Sequence, residues 1–215
     1  MLRRISLQIL LLALSASGAY AQLANRLVPH MGFMYELATA RANTVGASNQ
    51  LLEDFYNFHI GSYVVLAHKN DVASVGIDPS VQLGFNVTQI IDNQGFLQAK
   101  FNYSAQIPVF AMGRIGAGST PYNQQPVGLG LGIGGNYLFF SQQIDNNFRR
   151  IASYVVPSAV AELNLMTRGN FITARIHAGL AQTSGYLVSK NIDNNLATPL
   201  DFKLGNFGLG LIYGF

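Results

Sequence analysis

Leu204-Gly205-Asn206-Phe207-Gly208-Leu209-Gly210-Leu211-Ile212-Tyr213-Gly214-Phe215 decides the fold. Read in twos from the end, Phe215, Tyr213, Leu211, Leu209 and Phe207 are large and apolar, and Gly214, Ile212, Gly210, Gly208 and Asn206 stand between them. Alternate side chains of a strand point to opposite faces, so one face is greasy and aromatic and the other nearly bare. A strand of a soluble sheet would set charge opposite its apolar face. Here the opposite face is mostly glycine.

The same alternation recurs along the chain. In residues 27–41, Met31, Phe33, Tyr35 and Leu37 oppose His30, Gly32, Met34 and Glu36. In 54–68, Tyr56, Phe58, Ile60, Val64 and Leu66 oppose Asn57, His59, Gly61 and Tyr63. Residues 72–87 set Val75, Ile77, Val81, Leu83 and Phe85 against Gly76, Asp78, Gln82 and Asn86. In 96–112, Leu97, Phe101, Tyr103 and Ile107 oppose Gln98, Lys100, Asn102 and Gln106. Segments 126–140, 150–166 and 170–184 continue the pattern, with Glu162, Arg175 and His177 on the polar faces. With the final strand these make eight. The glycine run Val127 to Gly134 lacks the helix start and the Lys or Ser/Thr of a phosphate loop, so it reads as strand.

Composition agrees. Charged residues are 11% of the chain, against roughly 25% in an ordinary soluble domain. There is no Cys, hence no disulfide framework and no thiol chemistry. The start, Met1-Leu2-Arg3-Arg4 followed by an apolar run to Leu14 and Ala19-Tyr20-Ala21, has the form of a secretory signal peptide cut after Ala21. Residues 1–21 are thus expected to be a leader, and 22–215 one domain. Losing Arg3 and Arg4 lowers the formal charge from +3 to +1, which gives no reason to expect a nucleic-acid partner.

The last strand resembles the C-terminal strand of outer-membrane β-barrels, and the whole pattern resembles a small OmpA/OmpX-type barrel of the kind Bacteroidota carry. The resemblance implies an all-β fold, an eight-stranded, closed, antiparallel, up-and-down transmembrane barrel in the cell outer membrane with both termini periplasmic. It implies that Phe207, Leu209, Leu211, Tyr213 and Phe215 form the signal read by the barrel-assembly machinery, and that lipid and lipopolysaccharide surround the wall. The resemblance departs from OmpA in that no periplasmic wall-binding domain, and so no wall anchoring, is expected.

If the apolar faces meet lipid, the polar faces fill the lumen. An eight-stranded barrel is just wide enough for its own side chains to fill it, so a solid interior is expected. Glu36, His59, Asp78, Lys100, Glu162, Arg175 and His177 are its expected polar network. A two-residue turn at Arg168-Gly169 sets Thr167 opposite Asn170, and therefore Glu162 opposite Arg175, an acid beside a base where unpaired charge is costly. Pro157 lacks an N–H, so a bulge or distortion is expected near it. The register between segments 54–68 and 72–87 stays open, with Asp78 opposite either Gly61 or Tyr63. Polar stretches 42–53, 88–95, 141–149 and 185–202 read as outer loops, and Arg114 to Gln125 as a long periplasmic turn. Three Ile-Asp-Asn themes, at residues 91–94, 144–147 and 192–195, read as turn chemistry rather than calcium sites.

No His-Ser-acid group converges near the outer rim, so neither catalytic residues nor a metal or cofactor is expected. The function expected is structural or interactive, free-standing or as an accessory subunit of a larger outer-membrane complex. A small channel or ligand-binding barrel is the alternative, and a lipid A-modifying enzyme a further one.

Overall fold

The computed structural model describes the backbone of residues 25–44, 47–91, 97–143, 148–191 and 197–215, and the side chains of 25–39, 52–89, 101–140, 153–183 and 204–215. The leader, its cleavage site and the three Ile-Asp-Asn themes (Ile91 and its backbone apart) lie outside the described residues.

Nine hydrogen-bonded strands build the wall: β1 Leu27–Thr44, β2 Ala47–Lys69, β3 Ala73–Ile91, β4 Leu97–Gly116, β5 Val127–Gln143, β6 Phe148–Thr167, β7 Asn170–Gly179, β8 Thr183–Asn191 and β9 Ala197–Gly214. Each pairs antiparallel with its neighbours. β7 and β8 are two lengths of one stave, since both lie between β6 and β9. Pairing of β1 with β9, from His30–Gly214 to Ala42–Phe202, closes the sheet. The result is an eight-staved closed antiparallel barrel.

The stave breaks where it meets Pro157. Ser158 pairs with Gly179 and Ser153 with Tyr186, so five residues of β6 span seven of its neighbour. The expected irregularity at Pro157 therefore falls on the facing stave, as two extra residues around Leu180, whose N–H donates to the Pro157 carbonyl at 2.8 Å. Two is an even number, so the alternation of faces survives the insertion. A single-residue bulge at Val65–Ala67 interrupts β2–β3 pairing. Beside it, Gly61 lies opposite Ser80 and Val64 opposite Ile77, which places Asp78 opposite Tyr63.

Two tight turns join strands at the end that also holds Leu27 and Phe215. Arg168 and Gly169 both have positive φ, 51° and 87°, the geometry of the favoured two-residue hairpin turn. Asn70 and Asp71 use the same region of backbone space. The third connection differs from expectation at its start. Arg114 is not in the turn: β4 runs on to Gly116, and the turn is 117–126. That turn folds under the barrel as a floor. Ala117, Ser119, Thr120 and Asn123 are buried, and Ser119 Oγ and Asn123 Nδ2 donate to the Asp71 carbonyl at 3.0 and 2.5 Å.

At the opposite end the strands outrun the expected loops. β1 and β2 stay paired to Thr44 and Ala47, and β8 and β9 pair through Lys190 and Ala197 inside the stretch 185–202 that the sequence pattern assigns to a long loop. Outside, the wall is an apolar belt of exposed Leu, Ile, Val and aromatic side chains. Tyr35, Tyr56, Phe85 and Phe101 form a contiguous chain of rings, with centroids 5.1–6.3 Å apart, toward the extended end. Tyr213 and Phe215 mark the turn end. The outward Asp54 sits beside the upper girdle with both carboxylate oxygens used, by Tyr35 Oη at 2.6 Å and Gln89 Nε2 at 2.9 Å.

Candidate functional site: the polar lumen

The inward faces fill the lumen in layers. The layer nearer the floor carries four full charges. Asp78 comes from β3, Arg114 from β4, Glu162 from β6 and Arg175 from β7, and all are nearly inaccessible to solvent. Facing positions bring Glu162 and Arg175 together. Arg175 donates to Glu162 Oε1 from Nε at 2.8 Å and from Nη2 at 2.5 Å, and to Asp78 Oδ2 from Nη2. Arg114 donates from Nε to Glu162 Oε2 at 2.8 Å, and from Nη2 to Glu162 Oε1 at 3.1 Å and Asp78 Oδ2 at 3.3 Å. Two guanidinium forks thus share two carboxylates, and the four charges sum to zero. Burial of charge is tolerable only when it is paired and hydrogen-bonded in this way.

The layer extends to the facing wall through histidines. Asp78 Oδ1 can only accept, so His30 donates Nε2–H to it at 2.8 Å. With that tautomer His30 Nδ1 accepts from His59 Nε2–H at 3.1 Å, and the two rings stack with centroids 5.0 Å apart. Arg114 also lies over the Tyr63 ring, 4.2 Å from its centroid. The Tyr63 hydroxyl bonds Ser74, and Ser74 donates to the Ser119 carbonyl of the floor at 2.5 Å.

A second layer lies farther from the floor. Gln106 Nε2 on β4 donates to Glu36 Oε2 on β1 at 3.2 Å. Asn136 on β5 donates to Gln106 Oε1. His177 on β7 brings Nε2 to 3.5 Å from Glu36 Oε2, ion-pair distance without a hydrogen bond. This chain of side chains crosses from one wall to the other. Above it Phe55, Leu138, Phe140, Tyr154 and Leu204 make an apolar stopper, with the Phe55 and Phe140 rings edge to face at 5.6 Å. Beside that stopper Glu53 Oε2 accepts from Asn86 at 2.8 Å and Thr88 at 2.7 Å.

Six of the seven residues expected in the lumen face it: Glu36, His59, Asp78, Glu162, Arg175 and His177. They fall into two layers rather than one network. Lys100 is a backbone member of β4, opposite Thr88, and its side chain lies outside the described residues. Sequence reading missed Arg114, His30 and Glu53, the last of which it left in the loop 42–53. Arg114 has the parity of Asn102, Ser104 and Gln106, so extending the 96–112 alternation by two residues would have found it. His30 stands on the polar face of its segment and looks peripheral only because its strand begins close by.

No family model matches the sequence, and no curated protein matches it. Among solved structures, the outer membrane protein OprG from Pseudomonas aeruginosa superposes with a TM-score of 0.58 at 9% identity, over 89% of this chain and 96% of that one. The fold is that of an outer-membrane β-barrel. The outer membrane protease OmpT from Escherichia coli also aligns, at a TM-score of 0.46 and 8% identity, over 89% of this chain and 97% of that one. At such identities the likeness is one of fold.

What the barrel's lumen does chemically follows from its closure. His30 has an acid on one side and an imidazole on the other, an arrangement able to move a proton. All three groups are sealed between the floor and the stopper. The remaining histidine, His68, pairs with Asp71 at 3.0 Å on the exposed turn end.

Proposed function

We propose that this chain is an integral outer-membrane barrel with a plugged lumen, serving as a structural or interaction element rather than a conduit. In this reading the leader directs export. The turn end with both termini faces the periplasm, and the extended hairpins face outward. Lipid and lipopolysaccharide cover the belt. The observation that carries the reading is that both polar layers reach from wall to wall, with a floor beneath and an apolar stopper above. A channel needs a continuous wet path, and each layer spends the lumen's polar groups on one another.

Contacts with other proteins would then fall to the wall or the projecting hairpins. The wall is uneven: β1 to β4 present large rings, whereas Ala111, Ala159, Ala161 and Ala178 line a shallow outward groove of about 510 Å³. Small residues permit close approach of a second barrel, which suits an accessory subunit of a larger complex.

Purified protein in planar bilayers is expected to show no stepwise conductance at moderate voltage. A steady open level would overturn the plugged reading. Mild-detergent purification of the tagged protein from its native membrane, with mass spectrometry, separates the two structural roles. Partners held at fixed stoichiometry through high salt make it a subunit. A lone heat-modifiable barrel makes it free-standing.

The C-terminal residues give a further expected result. Phe215 is exposed, and its N–H reaches the Pro29 carbonyl at 3.2 Å, a single backbone bond at the barrel's end. Deleting Phe215 is expected to leave the refolded barrel's stability nearly unchanged. The same deletion should slow insertion by the assembly machinery several-fold in vivo, read as accumulation of unfolded periplasmic protein. Normal insertion would remove Phe207, Leu209, Leu211, Tyr213 and Phe215 from the assembly-signal role.

A further inference from the structure

Beside the floor the turn end holds a cleft of about 490 Å³, within the size range of ligand pockets. Its rim is a closed circuit of hydrogen bonds. From the floor, Tyr122 Oη donates to Asn25 Oδ1 at 2.7 Å. The next residue ties the approach to β1 onto β2: the Arg26 carbonyl accepts from the Val65 N–H at 2.8 Å, and Arg26 Nη1 donates to the Leu66 carbonyl at 3.5 Å. Farther along β2, His68 Nδ1 lies 3.0 Å from Asp71 Oδ1. The Asp71 carbonyl accepts from Thr120 Oγ1 at 3.4 Å, which returns the circuit to the floor.

Charge is divided within that circuit. The Arg26 guanidinium makes one long hydrogen bond and, among the described residues, no ion pair, so most of its N–H donors are uncommitted. Asp71 can only accept, so His68 donates Nδ1–H to it and keeps Nε2 as an acceptor, while Asp71 keeps its second carboxylate oxygen. Arg26 is bonded at Val65 and Leu66, and Asp71 at His68, two to three residues on, about 7–10 Å at strand spacing. Val65, Pro121 and the Tyr122 ring supply apolar lining.

The complement of that arrangement is a molecule with a carboxylate at one end, an ammonium at the other and an apolar body. An α-amino acid carries both charges on one carbon and does not span the two sides. Two or three residues of peptide with free ends do. We propose that the cleft binds a short apolar peptide, its terminal carboxylate on Arg26 and its terminal ammonium on Asp71. Arg26, His68 and Tyr122 are exposed at the turn end, so the peptide enters from water without passing the plugged lumen. The site goes beyond the structural reading of the barrel and does not rest on it.

The chain has no Trp, so a peptide that carries one reports its own binding. The probe is leucyl-alanyl-tryptophan, added to the refolded full barrel in detergent micelles, with empty micelles as the blank. Its emission should shift saturably, and free tryptophan should not compete. N-acetylation and C-terminal amidation of the peptide should each weaken binding by about fivefold, the upper range for a solvent-exposed ion pair. Arg26→Gln should weaken the free peptide to the same degree and leave the amide's affinity unchanged. Asp71→Asn should do so for the free peptide against the N-acetyl form. Asparagine tolerates the positive φ of 54° at this turn position, so that variant keeps its hairpin. A purely structural role for either residue would weaken all forms alike. Should a variant fail to fold, the wild type with the free and blocked peptides still decides. Equal affinity for free and blocked peptides, competition by tryptophan, no saturable shift, or equal loss for all forms in a folded variant would overturn the proposal.

Discussion

Arg175→Leu is expected to destabilise the folded barrel by about 3–5 kcal/mol, the range for leaving buried charges without their partner. Arg175 is 2% exposed and supplies hydrogen bonds to both Glu162 and Asp78. Leucine keeps much of its apolar bulk and removes the fork. Two carboxylates would then share the single guanidinium of Arg114, with His30 still bonded to Asp78, in a layer with no bulk water to replace the lost donors. The excess negative charge must be relieved by proton uptake or by opening the floor. The measurement is the urea midpoint of the barrel in micelles, with the loss of heat-modifiable migration as a second readout. Arg175→Lys should fall between the two, since an ammonium cannot reproduce the bidentate geometry. Adding Glu162→Gln to Arg175→Leu should recover part of the loss, because the second change removes one of the stranded charges. Full wild-type stability in Arg175→Leu would mean that the floor layer does not hold the barrel together.

Much of this architecture is legible in the chain because lipid and lumen impose opposite chemistry on alternate residues. Where both conditions hold, as from Val75 to Val87, the strand reads directly from the sequence. The facing of Glu162 and Arg175 is legible for a different reason: the Arg168-Gly169 turn leaves only one register for its hairpin. Legibility fails where one of the conditions lapses. Toward Thr44 and Ala47, and from Thr183 to Lys190, the sequence no longer alternates apolar with polar residues, yet the hydrogen-bonded pairing continues. That is why 42–53 and 185–202 read as loops and are largely strand. At the floor the reverse occurs. Arg114 reads as the polar start of a turn because its guanidinium is not visibly matched, and its partners, Asp78 and Glu162, lie 36 and 48 residues away. The division of the lumen into two layers was likewise not legible. It depends on the stagger between β1, β7 and β9, which no single turn fixes.

The closing seam should be the least forgiving part of the wall. Gly32 lies on β1 opposite Ile212 of β9. A Cβ at Gly32 would stand 2.2 Å from the Leu211 carbonyl oxygen and 2.6 Å from Ile212 Cα. Both are backbone atoms, so no rotamer change relieves the clash, and the first and last strands must move apart. Gly32→Val is therefore expected to lose the folded, heat-modifiable form, with overpacking alone costing about 1–3 kcal/mol and lost closure adding to it. Gly113→Ala is the matched control. It faces outward on β4, and its Cβ would have no neighbour nearer than 4.0 Å, so its stability should equal or slightly exceed that of the wild type. A contrast across the same seam, with Gly210 of β9, separates backbone from side-chain obstruction. At Gly210 the obstructing atom is Met34 Sδ, at 2.0 Å, the flexible part of a long side chain. Met34→Ala should therefore rescue Gly210→Ala, whereas no truncation of a neighbouring side chain should rescue Gly32→Val. If Gly32→Val folded as readily as Gly113→Ala, the seam would be looser than its backbone contacts imply. Barrel closure would then rest on the filled lumen rather than on the fit of β1 to β9.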